Sequence, residues 1–210
     1  MSTIAAALFM TAAMPSHAAD APDSLDWRSK GAVTPVKDMQ HCPDHGEASR
    51  TDALEGAWAI QGNPLTTFQP RPVEDPDARW ECDLIVEEIS PTPFPRERIE
   101  GWNSVGAGER ALRDAVAEHG PTVAYVDGSG YEYQLYSEGL FAGHCGTANN
   151  VAVTVVGYGT TAQGQKYWIV KSTWGESWGE GGYMRIIRGE NKCGIEEGYE
   201  TTYPTLKSSR

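Results

Sequence analysis

The sequence predicts an α+β fold of two lobes with a cleft between them. Residues 43–62 form one long helical pattern, in which Leu54, Ala57 and Trp58 lie at the spacing of one helix face. The second half of the chain contains short β-rich runs separated by glycine turns, at 122–126, 151–156, 167–171 and 183–188. A chain of 210 residues can bury one large core or two small ones packed together, which suits two lobes.

A second helix is predicted at residues 108–119, ahead of the β-rich runs. Leu112, Ala115 and Val116 share one helix face there, and Gly120 followed by Pro121 ends the pattern.

Composition and charge exclude two classes of partner. The chain has 17 basic and 29 acidic residues, a net charge of −12, so no basic patch is available to bind nucleic acid.

Residues 1–18 combine a short apolar run with small residues at a cleavage site, which predicts a signal peptide. No later segment approaches the length of a membrane span. We therefore expect a secreted or periplasmic protein without a membrane partner, and a monomer.

Three segments resemble the papain-like cysteine peptidases. Residues 25–37, LDWRSKGAVTPVK, are similar to the start of the mature family fold, and residues 156–159 are its VGYG string. Residues 171–186, KSTWGESWGEGGYMRI, resemble the family's C-terminal signature, in which Asn stands at the position of Ser172.

The resemblance implies a papain-like domain over residues 19–210. A helical lobe is expected at about 35–97, and an antiparallel β-barrel lobe at about 98–205 together with a strand in 19–34. The catalytic cleft of the family lies between these two lobes.

The register of the matches assigns residues to the family's catalytic positions. Counting on from Lys37, Met39 falls at the glutamine that donates to the oxyanion, and His45 falls at the nucleophilic cysteine. The family's Glu-Gly pair then falls on Glu55 and Gly56 without a gap. Counting back from the VGYG string places Val151 at the general-base histidine.

These residue types do not suit the family's chemistry. A cysteine peptidase needs a thiolate beside an imidazole, and an asparagine that orients the imidazole. Val151 cannot accept a proton, Met39 cannot donate a hydrogen bond, and Ser172 replaces the asparagine. We predict a papain-fold protein without peptidase activity that binds a protein or peptide. The predicted cleft residues are Asp44, His45, Asn150, Trp174 and Trp178.

A peptidase or other hydrolase with a rearranged active site is the alternative. A shifted register would make Cys42 the nucleophile and Gln40 the oxyanion donor. Cys42 would then lie 13 residues before Glu55 instead of the family's ten. A new constellation around His45 and Asp44 is the other route to hydrolysis.

The four cysteines allow three pairings by count alone. The resemblance implies disulfides between Cys42 and Cys82 and between Cys145 and Cys193, which leave no thiol for catalysis.

Metal binding is a second alternative, because His41, Cys42, Asp44 and His45 form the densest group of ligand types. His41 and His45 would be the ligands. Cys42 is expected in a disulfide, however, and no second cluster completes a tetrahedral site. We therefore expect no metal and no other cofactor.

Overall fold

The computed structural model describes residues 21–39, 45–70, 90 and 92–208. Three helices lie in this part of the chain: α1 (His45–Ile60), α2 (Glu109–His119) and α3 (Tyr131–Gln134). Both long helices match the predicted ones to within two residues at each end. Short 3-10 turns occupy Arg96–Arg98 and Lys192–Gly194.

The described strands form one sheet. They are β1 (Leu25–Asp26), β2 (Ile99–Ser104), β3 (Thr122–Val126), β4 (Leu140–Phe141), β5 (Val151–Thr160), β6 (Lys166–Lys171), β7 (Tyr183–Ile187) and β8 (Thr202–Leu206). The strand order is β2-β8-β3-β5-β6-β7-β4, and β1 pairs with β5.

The expected antiparallel barrel is wrong in two respects. Within the described residues the strand path runs from β2 to β4 without closing on itself. β4 also pairs with β7 in parallel, whereas the other strand pairs are antiparallel. The physical reason is that the loops bring the two-residue β4 beside β7 in parallel, so that β4 and β2 are left as the two ends of the path and do not pair with each other.

Two hydrophobic cores lie within the described residues. The larger core lies against the sheet and includes Val153, Trp168 and Ile186, each fully buried; we call this region the sheet lobe. The smaller core lies beside α1, where the rings of Trp58, Phe68 and Phe94 pack edge to face 4.8 to 5.9 Å apart. We call α1 and this cluster the helical lobe.

Close packing fixes α1 against the sheet lobe. A Cβ atom at Gly56 would lie 2.5 Å from Cγ of Pro121, so only glycine allows the helix to approach this closely. The Thr154 hydroxyl of β5 donates a hydrogen bond of 3.2 Å to the Ser49 carbonyl of α1. The first residue of α1, His45, is thereby held at the junction of the lobes.

Cys145 and Cys193 form a disulfide across 48 residues of the sheet lobe, as the resemblance implied. The other implied pair, Cys42 with Cys82, lies outside the described residues, as does the predicted signal peptide. None of the helices described here is both long and apolar enough to span a membrane.

Candidate active site

His45 begins α1 and makes one contact across the lobe junction. Its Nδ1 lies 2.7 Å from Oγ1 of Thr173, which is 128 residues away in sequence. The imidazole is half-buried, and burial lowers its pKa below the ordinary 6.5. Burial thus favours the neutral form of the ring. A helix N-terminus also disfavours an imidazolium.

The turn after β6 brings Thr173 to this position. The backbone N–H of Met39 donates to the Thr173 carbonyl at 3.0 Å, and the N–H of Gly175 donates to the Lys37 carbonyl at 3.2 Å. Thr173 is 1% exposed, so its hydroxyl is directed into the junction and not into solvent. The hydroxyl can hold the His45 ring, but it is not accessible to a substrate.

Met39 and Ser172, at two of the family's catalytic positions, are both interior residues. The Met39 side chain is fully buried, so it presents no group to a bound peptide. The Ser172 hydroxyl is also buried and accepts a hydrogen bond of 3.1 Å from the Trp174 backbone N–H. It stabilises the local turn and is not positioned by this bond to orient an imidazole.

Val151 and Asn150 lie at the start of β5 and contact the loop after β3. Val151 is paired with Val126 in the sheet, and its Cγ2 would be 2.6 Å from a Cβ atom at Gly128. The Asn150 side-chain oxygen accepts a hydrogen bond of 2.9 Å from the Gly128 N–H, while Asn150 itself is exposed. The base position therefore carries an aliphatic side chain packed on a loop.

Trp174 and Trp178 belong to an aromatic cluster of the sheet lobe. Their rings lie 5.3 Å apart, and each lies within 6 Å of the buried Tyr133 ring. The Trp178 indole N–H donates to the Gln134 carbonyl at 3.0 Å. Both tryptophans are partly exposed and could form one wall of a binding cleft.

Sequence reasoning missed a buried ionic cluster beneath this site. Lys37, Asp52, Glu55 and Lys171 form three ion pairs, and each of their side chains is at most 1% exposed. Lys171 Nζ lies 2.7 Å from Asp52 Oδ1, and Lys37 Nζ lies 2.7 Å from Glu55 Oε2. We call these four residues the ionic quartet. The sequence signal that could have revealed this cluster is the presence of two carboxylates, Asp52 and Glu55, on the inward face of the predicted helix at 43–62.

Burial and mutual attraction act against each other in the ionic quartet. Burial raises the pKa of Glu55 and lowers the pKa of Lys171. Burial also disfavours the charged form of Asp52, but the charges of Lys171 and Lys37 outweigh it and lower the pKa of that carboxyl. Glu55 also accepts a hydrogen bond of 2.7 Å from the Phe68 N–H, which ties the helical-lobe core to the junction.

Asp44, the remaining predicted cleft residue, lies outside the described residues. So do His41 and Cys42 of the metal alternative and Gln40 and Cys42 of the shifted register. No group of three or more metal-ligating side chains occurs within the described part of the chain.

A family model, "Papain family cysteine protease", matches residues 21–72 and 87–203 of this sequence. The chain belongs to the papain family of cysteine proteases. Solved structures agree on the fold. The chain superposes on the Amb a 11 cysteine protease of ragweed pollen, in its proform, with a TM-score of 0.77 at 31% identity, covering 92% of this chain and 69% of that one. It superposes on the bromelain protease of Ananas comosus with a TM-score of 0.73 at 31% identity, covering 89% of this chain and 100% of that one.

Some curated relatives of this papain-family chain are named as proteases, among them the thiol protease SEN102 of Hemerocallis sp., which is 36% identical over 220 residues, covering 89% of this chain and 60% of the relative. Vignain of Ricinus communis is 37% identical over 223 residues, covering 90% of this chain and 61% of the relative. Fruit bromelain of Ananas comosus is 34% identical over 219 residues, covering 89% of this chain and 61% of the relative. The chain thus spans about six tenths of the length of these relatives. The predicted two-lobed papain-like α+β fold is confirmed by the structural likeness.

Proposed function

We propose that this papain-family chain binds a peptide or protein segment in its cleft without cleaving it by the family's cysteine route. The observation that carries the proposal is the contact of His45 with Thr173. At the helix start where the register places the nucleophile, a half-buried imidazole is held by a buried hydroxyl.

The chemistry of acyl transfer supports this proposal. A nucleophile must reach the scissile carbonyl and lose its proton to a nearby base, and the oxyanion that forms needs fixed donors. The imidazole of His45 could accept a proton, but Thr173, its hydroxyl partner, is 1% exposed. Both cysteines among the described residues, Cys145 and Cys193, are joined in a disulfide.

The recognition surface in this proposal is the tryptophan wall, which we define as Trp174 and Trp178. Aromatic rings bury a large area on binding, and an indole can lie against peptide backbone or side chains without forming a covalent bond. The Trp178 ring is supported from behind by Tyr133 and Tyr136, so it is held in place before a ligand arrives.

Fluorescein-labelled casein fragments test binding and cleavage in one sample. We expect the fluorescence anisotropy to rise as the protein is added, and mass spectrometry to find every fragment intact with and without reductant. Trp178→Ala should weaken the binding about tenfold, and Trp178→Phe, which keeps a ring, should weaken it less. Intact fragments with no rise in anisotropy would contradict the binding proposal, and cleaved fragments would contradict the inactivity.

The second candidate is a cysteine-type peptidase or other hydrolase with a rearranged active site. The observation that favours it is that curated relatives, such as the thiol protease SEN102 of Hemerocallis sp., are themselves named as proteases. Two variants distinguish the two possible rearranged sites, one with Cys42 as the nucleophile and one around His45. Turnover that needs reductant and is lost in Cys42→Ser supports the shifted register, and turnover that is lost in His45→Ala supports a new site around the imidazole.

Export and a monomeric state complete the proposal. The pattern in residues 1–18 supports removal of a signal peptide on secretion. Intact mass of the protein recovered from the medium or periplasm should correspond to a chain beginning near residue 19, and light scattering should give the mass of one copy. A cytosolic protein that keeps residues 1–18 would contradict export, and a dimer mass would contradict the monomer.

A further inference from the structure

A cavity lies beside α1, and its lining includes none of the predicted cleft residues His45, Asn150, Trp174 and Trp178. It has a volume of about 280 Å³ and is formed by α1 on one side and by residues 93–102, including β2, on the other. The α1 residues that line it are Glu47, Arg50, Thr51 and Leu54. Their spacing places them on one face of the helix, whereas His45 precedes Glu47 by two residues and projects from a different face.

The charges lining this cavity are unusual for this protein. The chain carries a net charge of −12, yet the charged residues that line the cavity are two arginines, Arg50 and Arg96, and one carboxylate residue, Glu47. The lining therefore has a local charge of +1, which is matched by one monoanion.

Neither arginine of the cavity has a carboxylate within 4.0 Å in the described part of the chain. Arg28, Arg185 and Arg188 differ, since each forms an ion pair at 2.8 Å or less. The Arg50 guanidinium instead lies over the Trp102 ring, 5.4 Å from its centroid. A cation–π contact of this kind restrains the position of the group and does not use up its N–H donors.

Apart from Thr51 and Gln69, the remaining lining residues are apolar. Leu54, Phe94, Ile99 and Trp102 line the cavity, and Phe94 is 8% exposed and packed against Phe68 at 4.8 Å. A fully hydrated anion would leave these walls in contact with water. An apolar body attached to the anionic group would cover them, and burial of apolar area is the main source of affinity in such pockets.

We propose that this cavity binds a carboxylate that carries an adjoining apolar group, with the carboxylate on Arg50 and Arg96 and the apolar group against Phe94 and Trp102. A planar carboxylate matches the fork of N–H donors of arginine. The same chemistry is offered by a free apolar carboxylic acid and by a peptide ending in an apolar residue. The site is separate from the proposed cleft, and neither proposal depends on the other.

Calorimetric titration with four probes tests the site. The probes are 4-phenylbutyrate, its amide, a tetrapeptide ending in phenylalanine as the free acid, and the same tetrapeptide amidated at its C-terminus. We expect at least one of the acids to bind and its amide to bind at least about tenfold more weakly, because the amide lacks the charge that arginine recognises. Binding by the tetrapeptide acid alone identifies a peptide terminus as the source, and binding by 4-phenylbutyrate identifies a free acid.

Three arginine variants locate the binding. Arg50→Gln and Arg96→Gln should each weaken it about tenfold. Arg110→Gln, whose side chain on α2 is 81% exposed, should not change it. Arg96 is exposed, so its variant tests the site even if Arg50→Gln fails to fold. Equal binding of acid and amide, an unchanged affinity in Arg96→Gln, or no heat from either acid at millimolar concentration would overturn the proposal.

Discussion

The interior of the lobe junction and its cleft edge both use residues of α1 and of β6 with the turn that follows it. They differ in the contacts that their side chains make. In the interior, the ionic quartet joins α1, β6 and the segment before α1 through three ion pairs. At the cleft edge, His45 is hydrogen-bonded across the junction to Thr173, and Val151 contacts a loop through its methyl groups.

This difference teaches which part of the junction the fold depends on. A buried ion that loses its partner keeps its desolvation cost, so no member of the ionic quartet can change alone without a large loss of stability. Among the described residues, His45 and Val151 pair with no buried charge. The cleft edge can therefore change its chemistry while the lobes stay docked.

The largest effect is expected from breaking the ionic quartet. Asp52→Asn removes a carboxylate that pairs with both Lys37 and Lys171, so we expect the free energy of unfolding in urea to fall by about 3–5 kcal/mol. The matched control is Asp114→Asn, whose side chain on α2 is 33% exposed and pairs with Arg113; it should cost less than about 1 kcal/mol. Equal losses in the two variants would mean that the interior is no more constrained than the surface.

The next largest loss of stability is expected from removing the disulfide of the sheet lobe, and it tests whether the sheet lobe and the junction contribute to stability independently. Replacing both Cys145 and Cys193 by Ser frees a loop closed over 48 residues, and we expect a loss of about 2–4 kcal/mol of unfolding free energy. Because the disulfide lies outside the junction, its loss should add to that of Asp52→Asn in the combined variant. A combined loss that differs from the sum by more than about 1 kcal/mol would show that the two regions are coupled.

A smaller effect tests the contact at the cleft edge. Thr173→Val keeps the shape of the side chain but removes the hydroxyl at 2.7 Å from His45, so we expect a loss of about 1 kcal/mol, measured by thermal unfolding. Thr173→Ser keeps the hydroxyl and should retain the hydrogen bond. A valine variant as stable as the wild type would mean that the contact does not hold the ring.

The smallest expected effect is the dependence of stability on pH that comes from the titration of His45. Because burial lowers the pKa of His45 below 6.5, an NMR titration should find its midpoint below that value, with the signal assigned by its absence in His45→Gln. The folded protein favours the neutral ring. Stability that the ring contributes at pH 7 is thus lost as the pH falls below 6.5 through the folded-state pKa. A midpoint at or above 6.5 would contradict the buried, neutral imidazole.

Local patterns predicted the elements well. The spacing of Leu112, Ala115 and Val116 predicted α2, which begins one residue later than expected, and the run at 122–126 coincides with β3. Helical spacing and β-rich runs report on the nearest neighbours along the chain, so their periods can be read from the sequence.

Contacts between distant residues could not be predicted in this way. His45 and Thr173 are 128 residues apart, and Lys171 reaches Asp52 across 119 residues. Closure of the sheet was predicted wrongly for the same reason, since the parallel pairing of β4 with β7 depends on how the loops bring the two strands together. Only the resemblance of whole segments to a known family predicted that Cys145 and Cys193 would meet.

Labelling with a thiol-directed epoxide shows whether the protein has an active catalytic thiol, because such a reagent alkylates an activated thiolate at the nucleophile position of a cysteine protease. After incubation in mild reductant, the intact mass of the protein should be unchanged, and casein fragments in the same sample should remain whole. A stoichiometric adduct on Cys42, together with cleavage of the fragments, would contradict the account and establish an active peptidase.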